Sequence, residues 1–164
     1  LPYSPTFIFL SGYLVAWSLF SIVASAVQYP LHESGLLNPM MNSRSYLLSG
    51  SILVLAGLYQ WTPLKNACLT ECRSPLSFLM TSWKDGHFGA FKVGVHHGFY
   101  CIGCCWALMV VLFAVGVMNM LWVLLITAFV LLEKVGPVSQ RYLRAITGLG
   151  LVVWGGYWLS LYPW

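Results

Sequence analysis

The sequence predicts an all-α, polytopic transmembrane helix bundle. Three observations predict it. Of 164 residues, 59% are apolar and only 7% are charged, against about 25% charged in a soluble domain. Several apolar runs approach the ~20 residues that a helix needs to cross about 30 Å of hydrocarbon. Proline and glycine punctuate these runs at their ends. The same numbers exclude other classes. Disorder requires low hydrophobicity. A nucleic-acid domain is not expected, because the net charge is only +4 and no dense basic run exists.

About five spans follow from the pattern. The first covers residues 7–29 and stops at Pro30, which lacks the helical N–H. A polar loop leads to the second, at about 45–61, with Pro63 just beyond. The longest polar stretch, 65–92, comes next. Within it, PLSFLMTSW (75–83) is too short to span and reads as an interfacial or re-entrant helix. The third span is about 94–118, with helix beginning up to a turn earlier. The fourth, 121–132, extends toward Met118 and Val135 and is punctuated by Gly136 and Pro137. The fifth, about 142–161, ends among Trp154, Tyr157, Trp158, Tyr162 and Trp164, as an interfacial aromatic belt does.

Basic residues sort by side. Lys65, Arg73, Lys84, Lys92, Lys134, Arg141 and Arg144 fall in the 2–3 and 4–5 loops, and Arg44 alone falls opposite. The positive-inside rule puts the 2–3 loop and residue 1 in the cytoplasm and Trp164 outside. The expected location is a multi-pass position in a membrane, and the expected partners are the lipid bilayer and other membrane subunits. We read 1–164 as a single transmembrane domain. Because the chain opens on Leu1 with no signal peptide, an upstream segment is expected.

All five cysteines lie between Cys68 and Cys105. Cys68 and Cys72 are four apart and share a face if their segment is helical. His97, Cys101 and Cys104 follow the i, i+4, i+7 pattern of one helix face, with Cys105 one residue round. The odd count and the reducing side assigned to the loop favour thiolate metal binding or redox exchange over disulfides. A thiolate at membrane depth needs a metal or a cation to be tolerated. Thiolate with imidazole, or with the thioether of Met109, suits monovalent copper or zinc. The CxxxC and CxxCC spacings are not a zinc-finger pattern, so copper comes first and zinc second. The close cysteine runs of iron–sulfur proteins and the CxxCH of c-type haem are absent.

Other features have plainer readings. His87 and the His32–Glu33 pair read as solvated loop groups, His96 as interfacial, and Met40 and Met41 as apolar filling. Gly94 and Gly98, extended by Gly103, form a helix-packing stripe that can bring the cysteine face against a neighbour. Glu133 and Lys134 read as an interfacial pair, with a second option that Glu133 accepts from Lys65 or Arg73 and fixes the cysteine segment. With four acids in the chain, no acid–base constellation assembles, so an enzyme is less expected than a binding protein.

The strings GYLVAW (12–17), AGLYQWTPLKNACLTECRSP (56–75), HHGFYCIGCCWALM (96–109), GVMNMLW (116–122) and the Glu133–Lys134 pair occur in that order. In them the chain resembles the bacterial predicted metal-binding integral membrane proteins, a family of unknown function. The resemblance implies a multi-span bundle in a bacterial inner membrane, with a metal site at Cys68, Cys72, Cys101, Cys104 and Cys105. Members of that family carry a further N-terminal hydrophobic segment with an Ala-Met-Met motif, which reinforces the expectation of sequence upstream of Leu1.

The leading expectation is a membrane protein that holds or delivers copper. A second is an accessory subunit of a respiratory, photosynthetic or copper-dependent oxygenase complex. A third is a thiol redox protein using Cys101 with Cys104, since vicinal Cys104 and Cys105 cannot readily close an ordinary disulfide.

Overall fold

The computed structural model describes residues 4–35, 37, 45–74, 80, 86–136 and 139–161. Six helices are described: α1 (Ser4–Glu33), α2 (Tyr46–Gln60), α3 (Pro63–Arg73), α4 (His87–Val115), α5 (Met120–Val135) and α6 (Gln140–Ser160). The all-α class holds.

Local sequence explains where the helices begin and end. Ser45 caps α2 by accepting from the Leu48 N–H at 3.4 Å. Thr62 caps α3 by accepting from the Lys65 N–H at 3.3 Å, with Pro63 in the first turn, where its missing donor costs nothing. Asn119 caps α5 through the Leu121 N–H at 3.1 Å. Gly86 and Gly116 bound α4 at φ 88° and 104°, a region that disfavours side chains. Pro30 does not end α1. It lies in the last turn, where one missing hydrogen bond is tolerated, and its carbonyl accepts from the Ser34 N–H at 3.0 Å.

Two differences from the expected spans stand out. The polar stretch after α2 holds a helix, α3, bent by 66° from α2. The segment expected as an interfacial helix, 75–83, lies outside the described residues apart from Met80. Among the described residues, two helices, α1 and α4, are long and apolar enough to cross a membrane, or three spans if α2 and α3 form one broken span. That is fewer than five. Helices of 15 and 16 residues, such as α2 and α5, reach only roughly 22–24 Å at 1.5 Å per residue. Gln140, Arg141 and Arg144 lower the hydropathy of α6 at its start.

Two helix pairs make the frame, α1 with α4 and α2 with α6. Each closes through small residues. A Cβ on Gly12 would strike the Phe91 carbonyl, one on Gly94 the Phe9 carbonyl, and one on Gly98 would lie 2.7 Å from Ala16 Cβ. The second pair repeats the device every seven residues. Cβ atoms added at Gly57 and Gly155 would each lie 2.8 Å from the carbonyl of the facing glycine, Gly148 and Gly50. Backbone approach this close is how apolar helices gain contact energy without a hydrophobic driving force. Trp154 stacks on Trp122 of α5 with centroids 5.1 Å apart, and Trp158 lies 5.6 Å from Tyr46 of α2, so two of the expected belt aromatics pack between helices. Tyr162 and Trp164 lie outside the described residues.

On this frame α3 and α5 close over the middle of α4. Leu69 and Cys72 from α3, Cys101, Cys104, Cys105 and Leu108 from α4, and Val130 from α5 form one buried cluster.

Candidate metal centre

The two cysteine groups meet. Cys72 from α3 and His97 and Cys101 from α4 are all buried, and one ligand atom from each lies within 4.8 Å of the others. His97 and Cys101 are one helical turn apart on the same face. Cys72 reaches them because α3 lies against α4.

The remaining sulfurs surround this trio. Cys104 and Cys105 belong to the same buried cluster as Cys72 and Cys101. Cys104 and Cys105 each donate to the Cys101 carbonyl at 3.1 Å, which satisfies two buried thiols within their own helix. Cys68 packs at the edge of the cluster, and a Cβ on Gly103 would lie only 2.8 Å from its Sγ. The glycine stripe thus has two uses. Gly94 and Gly98 admit α1, and Gly103 makes room for Cys68.

Helix α1 closes the far side. The rings of Phe9 and Tyr13 lie 5.9 and 6.2 Å from that of His97, and Tyr13 packs against the cysteine cluster. Tyr59 of α2 donates to the Gly103 carbonyl at 2.5 Å and packs edge-on against Trp106.

Two lysines expected as loop charges make tertiary contacts, one of them buried and the other half-buried. Lys65 is fully buried. Its Nζ lies 2.8 Å from both carboxylate oxygens of Glu133 and also donates to Gln60. The pairing of Glu133 with Lys65 was the second of the two sequence readings, and it replaces the interfacial Glu133–Lys134 pair. Lys134 turns the other way, with Nζ 3.7 Å from Cys101 Sγ. Neither lysine is a solvated loop charge, so the tally behind the orientation loses both. Arg73 donates to the Gly136 carbonyl at 3.0 Å, a further tie between α3 and the end of α5.

The donor set is soft: two thiols and one imidazole, all buried, with an ammonium beside them. Three such ligands suit a monovalent ion that accepts two or three sulfur or nitrogen donors, and fall short of the four-ligand tetrahedron of structural zinc. The family model for PpoB2, described as a copper chaperone, matches residues 2–158. The chain belongs to the PpoB2 copper chaperone family. No curated protein and no solved structure matches it. For a member of this family copper is cargo, and the buried Cys–His–Cys group fits copper handling.

Not every residue singled out from sequence takes part in the PpoB2-family chain's cluster. His96 is exposed and packs against Tyr100, with ring centroids 4.9 Å apart. His87 and His32 are exposed, and Met40 and Met41 lie outside the described residues. Met109 packs at the margin of the cluster. Sequence reasoning missed Lys134 and Tyr13. The available signal for Lys134 was a lysine closing an apolar run, which reads equally well as an interfacial anchor.

Proposed function

We propose that this protein is a membrane-embedded chaperone for monovalent copper, with Cys72, His97 and Cys101 as the holding site. The observation that carries this reading is the convergence of those three ligands within 4.8 Å in a buried position. Cys104, Cys105 and Cys68 are the next stations. Cys72 lies within 4.8 Å of Cys101, and Cys104 packs in the same buried cluster, so an ion can gain its new sulfur before it loses the old one. At each step one copper–sulfur bond forms and one breaks, and the incoming thiol's proton passes to the departing thiolate.

The membrane setting rests on α1 and α4 and on the outward faces of α1 and α5, where Leu14, Leu19, Ile22, Leu121, Leu124 and Leu131 are exposed. Such a surface is costly in water and favourable against lipid chains. The receiver of the ion is a membrane copper protein, and the chain serves it as an accessory subunit.

The test is metal content of the full chain purified in detergent under anaerobic, reducing conditions. About one copper per chain is expected in the wild type, lost in a Cys101→Ser, Cys104→Ser double variant and in Cys72→Ser. A folded wild type that takes up no monovalent copper sinks the proposal.

A further inference from the structure

Lys134 places an ammonium directly against one of the three ligands. Its Nζ is 3.7 Å from Cys101 Sγ. The neighbouring carboxylate is committed elsewhere. Glu133 is bound by Lys65 at 2.8 Å, and that is the one ion pair among the described residues. Lys134 therefore faces sulfur, not an acid.

Charge balance then decides what the pocket accepts. When Cys72 and Cys101 bind an ion they lose their protons and carry two negative charges, while His97 binds neutral. A monovalent ion together with the Lys134 ammonium cancels them. A divalent ion leaves one positive charge uncompensated among buried apolar groups, where charge is costly to hold. We propose that Lys134 is a specificity-determining residue that makes this site select monovalent over divalent soft ions. This rests on the copper-holding reading and adds its basis for discrimination. Ligand softness alone does not supply that, because thiolates and imidazole also suit zinc.

The experiment uses the full chain in detergent, titrated anaerobically with Cu(I) against a colorimetric chelator and with Zn(II) against a fluorescent indicator. Lys134→Met and Lys134→Gln remove the charge, and Lys134→Arg keeps it. Both neutral variants are expected to shift the Cu(I)-to-Zn(II) affinity ratio toward zinc by about tenfold or more, with Lys134→Arg close to wild type. A ratio unchanged in a folded neutral variant overturns the inference while leaving copper holding intact. A wild type that binds no Cu(I) overturns both. A second measurement needs no variant. Ag(I) and Cd(II) are both soft and differ in charge, and the wild type should bind Ag(I) at least about tenfold more tightly. Comparable affinities for the two overturn the inference.

Discussion

Lys65 and Glu133, on α3 and α5, bury an ion pair in which the lysine Nζ lies 2.8 Å from each carboxylate oxygen. The pair links the helix that carries Cys68 and Cys72 to the helix that carries Lys134. Gln60, at the end of α2, also accepts from the same ammonium, so three helices share one polar contact.

Glu133→Gln leaves a buried ammonium without its counter-charge. We expect a loss of about 3–5 kcal/mol in stability, read as a lowered thermal midpoint by tryptophan fluorescence in detergent. The double variant Lys65→Met, Glu133→Leu removes both charges and should recover much of that loss. A Glu133→Gln protein as stable as wild type would contradict the burial of this pair.

Gly94→Ala forces a methyl group into the Phe9 carbonyl and pushes α1 from α4. The expected cost is about 1–3 kcal/mol. Gly156→Ala is the control, because nothing lies within 4 Å of its added Cβ. It should be neutral or slightly stabilising, since alanine favours helix over glycine. Equal melting of the two variants would refute the close α1–α4 approach.

The cysteines should not be equivalent. Cys72→Ser is expected to weaken Cu(I) binding by about 100-fold or more, beyond the 10–100-fold typical of losing an outer partner. Cys105→Ser should leave affinity within about threefold, because its thiol is engaged with the Cys101 carbonyl. Chelator competition separates the two, and the reverse ranking would place the holding site deeper along α4.

Tyr59→Phe removes the hydrogen bond to the Gly103 carbonyl. A loss of about 1 kcal/mol is expected, with Cu(I) affinity retained, because Tyr59 supports the helix behind the ligands without touching them. A Tyr59→Phe variant that loses copper but keeps its stability would make the tyrosine part of the site itself.

The sequence carried several helix limits, because apolar runs bounded by Ser45, Pro63 and Gly136 mark their own ends, whereas the expected third span runs past Gly116 and α3 reads as part of a polar stretch. It carried the His97–Cys101 relation too, since one turn of helix makes it local. The meeting of Cys72 with that pair depends on how α3 lies on α4, which no spacing encodes. Hydropathy reads as five spans, of which the described helices supply two or three by length and composition, because α2 and α5 are short. Lys65 and Lys134 were counted as loop charges because a lysine's usual place is water, and only tertiary contacts with Glu133 and Cys101 show otherwise.

The pairing of α1 with α4 and of α2 with α6 has a consequence for how the chain comes into being. Synthesis delivers α1 before α4, and two other helices, α2 and α3, are made between them. The pairs are interleaved, so neither closes as a simple hairpin. All five cysteines and Lys65 emerge before Glu133 and Lys134 do. During that interval a nascent chain presents bare thiols and an uncompensated ammonium, and it is then most open to oxidation and to capture by the wrong ion. Helix α5, which carries both Glu133 and Lys134, ends this exposure.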